Sequence, residues 1–183
     1  ETGDGRMLEP EEIFAALVAL RQPKLLAGKR VLVTAGPTFE PIDPVRGITN
    51  LSSGKMGFAI ARAAHEAGAE VTLIAGPVHL PTPRGVRRID VQTAQHMYDA
   101  VLPEAARHGV FVATAAVADW RPTSLAEQKI KKVGSHAMPN FELSENPDIL
   151  AAVAGLPDAP YCVGFAAESH DLVRHAREKR LRK

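Results

Sequence analysis

The segment from Arg30 to Gly76 restricts the fold more than any other part of this 183-residue chain. It begins with the apolar run Val31–Val33 and ends with a second run, VTLIAG, and the stretch FAIARAAHEAG between them has helical spacing. A strand, a helix and a second strand in this order form a right-handed crossover between parallel neighbours. The sequence therefore predicts a Rossmann-like three-layer α/β sandwich with a mostly parallel central sheet.

The glycine-rich stretch SSGKMG lies just before this helix, where parallel sheets commonly bind phosphate. Free N–H groups at the helix start favour an anion, and Lys55 adds a positive charge. A dinucleotide fingerprint needs three closely spaced glycines, but Gly36 is far from Gly54 and Gly57. A P-loop fails because Met56 stands where Ser or Thr would hold Mg²⁺. The stretch therefore predicts either a phosphate site of different geometry or glycines used only for helix–sheet packing.

The composition fits one globular domain without a general affinity for polyanions. Hydrophobic residues make up 45% of the chain and the net charge is +1, so no overall basic field attracts nucleic acid or an anionic membrane. No apolar run approaches the roughly 20 residues of a membrane helix, and the acidic N-terminus has no signal-peptide pattern. The single cysteine, Cys162, lies in an apolar run, which predicts an inert buried thiol and a reducing, cytoplasmic setting.

The order of patterns predicts a linker and N-terminal helix over residues 1–27, followed by one domain over 28–183. Pro10 suits the first position of the N-terminal helix. Thr93 is expected to cap a helix that Pro103 interrupts or kinks. The chain ends abruptly within a basic helical stretch, which predicts a fragment of a longer protein. Further strands are predicted at 86–91, 110–115 and 161–169, and a helix with Asn146 as its N-cap.

The end of the predicted strand 110–115 carries small residues and is followed by Asp119. Ligands of open α/β sheets bind beyond such strand ends, and small side chains let a flat ring approach closely. Asp119 either holds Mg²⁺ on a triphosphate or a ribose hydroxyl, or it caps the next turn. Spacing alone does not separate these alternatives.

Residues 120–145 show no regular pattern, and their main feature is the cluster KIKK, which begins at Lys129. Lysines around one isoleucine form either a solvated strand edge, which the charge pattern alone favours, or a flap that brings cations to phosphates. The following VGSHAMPN contains a glycine, which favours mobility. We call residues 120–145 the flap segment.

Seven sequence blocks together are similar to one family. In order they are GPTFEPIDPVRGITNLSSGKMG, AGPVHLPTP, ATAAVADW, KIKK, NPDIL, VGFAAES and AREKRLRK. Over about residues 28–183 they resemble the bacterial CTP-dependent phosphopantothenate–cysteine ligases (phosphopantothenoylcysteine synthetases), which form the C-terminal domain of bifunctional phosphopantothenoylcysteine decarboxylase/synthetases. The family continues past residue 183, so its C-terminal part is absent from this sequence.

The resemblance implies a reaction in coenzyme A biosynthesis. CTP activates the carboxylate of 4'-phosphopantothenate as an acyl cytidylate and releases pyrophosphate, and L-cysteine then displaces CMP to give 4'-phosphopantothenoylcysteine. It also implies Mg²⁺ with the CTP, a homodimer, and FMN only on the decarboxylase domain, which this sequence lacks.

The resemblance also implies roles for individual residues. Asn50 matches the asparagine that holds the acyl cytidylate, expected as a donor to the acyl oxygen, and Arg46 matches an arginine that meets substrate. Lys129 matches a flap lysine on the triphosphate, and Lys55 is a further candidate from its position alone. The CTP pocket is expected to comprise Ala113, Thr114, Ala115, Asp119 (with Mg²⁺), Asn146, Pro147, Asp148, Ile149, Phe165, Lys179 and Lys183.

Two other functions remain open at this point. A nicotinamide-dependent oxidoreductase fits the strand–helix–strand unit, but no carboxylate follows the second strand to hold a ribose. A catalytically inactive fragment that retains only nucleotide binding or dimerisation fits the abrupt C-terminus.

Overall fold

The computed structural model describes residue 5 and residues 7–131, 140–167 and 170–182. The helices in these ranges are α1 Pro10–Arg21, α2 Lys55–Glu66, α3 Ala94–Ala105, α4 Ile149–Ala154 and α5 Leu172–Arg182. The strands are β1 Arg30–Ala35, β2 Phe39–Asp43, β3 Arg46–Thr49, β4 Glu70–Ala75, β5 Arg87–Asp90, β6 Val110–Ala113, β7 Trp120–Pro122, β8 Leu143–Glu145 and β9 Tyr161–Gly164.

The central sheet has five parallel strands in the order β5-β4-β1-β6-β9. Strand β1 lies in the middle, and Val31 is opposite Val71 of β4 and Val110 of β6. The chain moves outward from β1 first to one side and then to the other, so the strand order reverses at β1 and β6. Such a switch point opens a crevice at the carboxyl ends of the strands.

Apolar side chains fill both faces of the sheet. Val31, Val33 and Phe58 belong to the core on the α2 side, whereas Leu32 and Met97 belong to the core shared with α3 and α4. Alternate residues of β1 thus enter opposite cores, which explains its uninterrupted apolar run. The predicted three-layer, mostly parallel α/β fold is confirmed.

The predicted long loop between β1 and α2 instead contains a hairpin of β2 and β3. Glu40 in β2 is only 2% exposed, and its Oε1 accepts a hydrogen bond from Ala94 N at 2.8 Å. Thr93 Oγ1 accepts from His96 N at 3.1 Å, as its predicted capping role requires. The Glu40 carboxylate therefore attaches the hairpin to the start of α3. Sequence patterns place glutamate on the surface, so this buried contact was not predicted.

Three further expectations are corrected. Residues 120–145 begin and end in regular structure, because β7 and β8 pair antiparallel with Trp120 opposite Glu145. Pro103 lies inside α3 and does not interrupt it. Strand β6 ends at Ala113, before the predicted end at residue 115. Residues 132–139, which include most of VGSHAMPN, lie outside the described residues.

The predicted N-terminal helix forms with Pro10 in its first turn, but it has no buried residue. Phe14 is 69% exposed and Leu20 is 75% exposed, so its apolar face does not pack on the domain. Among the described helices, none combines the length and the apolar character needed to cross a bilayer.

Candidate functional site

A cleft of about 840 Å³ opens at the carboxyl edge of the sheet, where β1, β6 and β9 end. Its volume lies within the range of about 300–1,000 Å³ that small-molecule and cofactor sites occupy. The cleft is lined by Thr34, Asn50, Leu51, Ala113, Ala115, Ala116, Val117, Ala118, Asp119, Trp120, Glu145, Asn146, Pro147, Asp148, Ile149, Leu150, Phe165, Ala167 and Lys179.

Small residues at the end of β6 and in the loop after it form one side of this cleft. Ala113 and Ala115 line it as expected, and Ala116 N donates to Gly36 O at 2.8 Å, which holds this loop against the end of β1. Thr114 does not line the cleft, because its hydroxyl donates to Thr34 O at 2.5 Å. The Thr114 side chain thus binds the backbone of β1 and is not part of a ligand-contacting surface.

Asn50 reaches the same loop from the end of the hairpin. Its Nδ2 donates to Ala116 O at 3.2 Å and to Val117 O at 3.0 Å. Two carbonyl acceptors fix which end of the amide faces the loop, because Oδ1 in that place would meet oxygen. Both Nδ2 protons are used, so Oδ1 is the group that a ligand can contact. The expected donor role would require one of these bonds to break.

Asp119 and Asn146 are linked to each other at the end of the same loop. Asn146 donates from its backbone N to Asp119 O at 2.8 Å and from Nδ2 to Ala118 O at 2.9 Å, and its Oδ1 accepts from Arg121 at 2.9 Å. Asn146 is therefore not the predicted helix cap. Asp148 caps α4 instead, with Oδ1 accepting from Ala151 N at 3.0 Å.

The carboxylate of Asp119 is exposed and accepts no hydrogen bond from any residue that the structure describes. The turn-capping alternative is therefore not realised within the described part of the chain. No group of three or more His, Cys, Asp or Glu side chains able to hold a metal occurs in those same ranges. One carboxylate beside an open cleft fits Mg²⁺, which protein sites often bind by one or two carboxylates together with substrate phosphates.

The far wall is formed by the end of β9 and by α5. Phe165 is 39% exposed and offers an apolar ring to the cleft. Lys179 donates from Nζ to Phe165 O at 2.5 Å, which places its charge at the same wall. Pro147 and Ile149 also line the cleft. Lys183 lies outside the described residues.

Three predicted cations are not part of the cleft lining. Lys129 is exposed on the flap segment. Arg46 is bound to its own hairpin and to Ile130, whose O accepts from its guanidinium at 3.1 Å. Lys55 lines a separate groove of about 260 Å³ beside Phe58 and Pro81.

The structure identifies Asp43 as a buried residue that contacts Arg46 and Ile130, and the sequence patterns did not single it out. Burial by itself raises the pKa of Asp43, but hydrogen bonds from Val45 and Ile130 and the charge of Arg46 outweigh burial and lower the pKa below that of an ordinary aspartate. The carboxylate is therefore ionised at neutral pH.

Gly54 at the N-cap of α2 and Gly57 in its first turn are required by the backbone geometry and the packing. Gly54 has φ of 73° at the N-cap, a left-handed conformation that favours glycine. A Cβ on Gly57 would lie 2.5 Å from both Ala35 Cβ and Thr114 Oγ1, so only glycine allows α2 to pack this closely on β1. Helix–sheet packing, one of the two alternatives for this stretch, therefore explains Gly57 without a bound phosphate.

A parallel five-stranded sheet with a nucleotide-sized cleft at its switch point defines a Rossmann-like α/β domain of the ligand-binding type. The family model described as DNA/pantothenate metabolism flavoprotein C-terminal domain matches residues 26–183. The chain belongs to this family.

Individual relatives agree with this assignment. The coenzyme A biosynthesis bifunctional protein CoaBC of Vibrio cholerae serotype O1 is 57% identical over 184 residues, covering 100% of this chain and 46% of that protein. The crystal structure of the C-terminal domain of a CoaBC is 42% identical with a TM-score of 0.75, over 85% of this chain and 73% of that chain. A Cab2 mutant in complex with phosphopantothenate-cysteine is 16% identical with a TM-score of 0.69, over 94% of this chain and 73% of that chain. The last likeness shows the fold alone, and the chain spans about half the length of the CoaBC relative.

Proposed function

We propose that this chain is the ligase part of a bifunctional coenzyme A biosynthesis protein. It would join 4'-phosphopantothenate to L-cysteine through an acyl cytidylate made from CTP. The observation that carries the proposal is that Asn50, Asp119, Phe165 and Lys179, which are far apart in sequence, line one cleft. The CoaBC name of a relative at 57% identity supports the same reaction, and the Cab2 mutant that shares this fold was solved in complex with phosphopantothenate-cysteine.

The first step forms a mixed anhydride. A carboxylate oxygen of phosphopantothenate attacks the α-phosphorus of CTP, and the bond to the pyrophosphate oxygen breaks. Phe165 offers a face for the base, and the charge of Lys179 offsets phosphate charge. Asp119 would hold Mg²⁺ bound to CTP, and the ion supplies positive charge to the triphosphate.

The second step forms the amide. The amine nitrogen of cysteine attacks the acyl carbon, and CMP leaves with the electron pair of the broken C–O bond while the amine loses a proton. Asn50 Oδ1 would accept a hydrogen bond from the amine, because Nδ2 already donates to Ala116 O and Val117 O. Orienting the nucleophile in this way lowers the entropic cost of the reaction.

The partners proposed for the full-length protein follow from the family. A decarboxylase domain that carries FMN would precede this domain, and the protein would act in the cytoplasm. A homodimer would cover exposed apolar side chains near the cleft. Leu51 is 104% exposed and Trp120 is 54% exposed, and both line the cleft.

Pyrophosphate release tests this function directly. The chain is mixed with CTP, Mg²⁺ and phosphopantothenate, with and without cysteine. Release that requires CTP and phosphopantothenate, with amide product only when cysteine is present, is expected. Parallel titrations with CTP and NADH separate the ligase from an oxidoreductase. CTP binding without pyrophosphate release would identify an inactive nucleotide-binding fragment.

Lys129→Gln tests the flap lysine. If its ammonium meets the triphosphate, kcat/KM for CTP falls on the order of 100-fold, the effect of losing one charge-stabilising donor. Lys29→Gln is the matched control, because it removes the same charge at the amino end of β1, away from the cleft. Steady-state kinetics and a circular dichroism spectrum measure both variants. Unchanged turnover in Lys129→Gln would remove this residue from the site.

A further inference from the structure

We infer that Asp43 is a positioning residue that fixes Lys129–Lys131 on the β2–β3 hairpin and thereby sets where these lysines meet an anionic ligand. The identity of that ligand as CTP rests on the proposed function. The physical attachment does not rest on it and can be tested without any substrate.

The carboxylate of Asp43 is fully used by donors. Its Oδ1 accepts from Val45 N at 2.9 Å and from Arg46 N at 3.1 Å, and its Oδ2 accepts from Ile130 N at 3.1 Å and lies 3.0 Å from Arg46 Nε. The side chain is 0% exposed. Burying a carboxylate costs free energy unless its oxygens accept hydrogen bonds, so the four donors stabilise the buried charge of Asp43. Removing that charge would in turn leave these donors without their acceptor.

The peptide groups of Ile130 are held on both sides by this arrangement. Asp43 takes the Ile130 N–H, and the Arg46 guanidinium donates to Ile130 O at 3.1 Å. A second bond, from Ala126 N to Ile42 O at 3.1 Å, attaches the same stretch to the hairpin. Lys129 and Lys131 flank Ile130 and are exposed. Fixing the backbone of Ile130 therefore fixes the starting points of both lysine side chains.

The bond from Ile130 shows that Asp43 does more than close its own turn. A turn needs only the local bonds from Val45 N and Arg46 N, which are typical of an aspartate at the start of a tight turn. The bond from Ile130 joins positions that are 87 residues apart. It connects the hairpin, which ends next to Asn50, to the basic cluster of the flap segment. The hairpin can thus keep Asn50 and the lysines at fixed positions relative to each other.

Asp43→Asn tests this role. The amide can place only one oxygen where the carboxylate has two, so one of the two pairs of donors, at the turn or at Ile130 and Arg46, faces an NH₂ group. Trypsin cleavage after Lys129 and Lys131, followed by mass spectrometry under native conditions, is expected to be about tenfold faster, because cleavage reports how often the segment opens. The KM for CTP is expected to rise about tenfold, and the KM for cysteine is expected to stay unchanged.

Glu40→Gln is the matched control, because it neutralises the other buried carboxylate of the same hairpin, whose partner is Ala94 N. Faster cleavage in Asp43→Asn alone, with the higher KM for CTP, supports the inference. Equal cleavage in both variants indicates general loosening and overturns it, as does a normal KM for CTP. If wild-type protein has no CTP-dependent activity, the proposed function fails, and cleavage alone decides whether Asp43 holds the segment. If Asp43→Asn does not fold, Arg46→Gln tests the same attachment through the bond to Ile130 O.

Discussion

Asn50→Asp is expected to stop the reaction after its first step. Pyrophosphate release should continue, because Phe165 and Lys179, the residues proposed to bind the nucleotide, still line the cleft, but amide formation should fall by about 100-fold or more. Aspartate has no Nδ2 protons, so its carboxylate would face the oxygens of Ala116 and Val117, which now accept from Asn50 at 3.2 and 3.0 Å. The side chain must then turn away, and it no longer orients the amine of cysteine.

Rapid quenching followed by mass spectrometry measures the consequence, which is accumulation of the acyl cytidylate. Asn140→Asp makes the same charge change at an exposed residue that does not line the cleft, and it should leave both steps intact. Product formation at the normal rate in Asn50→Asp would remove Asn50 from the second step. Loss of pyrophosphate release together with product would instead show that Asn50 acts mainly by holding the loop after β6.

Gly76→Ala is expected to lower the stability of the protein strongly. Gly76 follows β4, and its N donates to Ala35 O at 2.9 Å, so it lies against the turn that ends β1. An added Cβ would lie 1.6 Å from Pro37 O, a backbone atom that cannot move without moving the turn. Overpacking of this kind costs about 1–3 kcal/mol and sometimes more. We therefore expect the free energy of unfolding to fall by about 3 kcal/mol.

Urea denaturation of wild type and Gly76→Ala measures this difference in the free energy of unfolding. Gly109→Ala is the matched control, because its added Cβ meets no atom within 4 Å. That variant should change the free energy of unfolding by no more than about 0.5 kcal/mol. Equal stability of Gly76→Ala and wild type would mean that the turn after β1 moves freely, which contradicts the close packing of Gly76 against Pro37.

The fold was predictable where burial and residue type agree. β1, β4 and β6 are apolar runs between turn residues, and both cores need those side chains. The β2–β3 hairpin was missed because Glu40 and Asp43 are buried carboxylates, and no local pattern distinguishes them from surface residues. β7 and β8 were missed because each has three residues and its partner lies far along the chain.

The candidate site was predictable to a different degree for each residue. The rule that ligands bind beyond strand ends points to Asp119. Asn50 and Lys179 needed the family resemblance, because a hairpin and a distant helix bring them to the cleft. The helix cap was assigned to Asn146 because asparagine and aspartate are both good N-caps, and only tertiary contacts show that Asn146 braces Asp119.

The position of Trp120 has a practical consequence. It is the single tryptophan of the chain, and its half-exposed indole borders the cleft. Indole fluorescence responds to the polarity of its surroundings, so a ligand that displaces water there should shift the emission without any attached dye. Trp120 fluorescence can therefore be used to measure ligand binding in the cleft. The measurement applies even to variants that no longer catalyse the reaction.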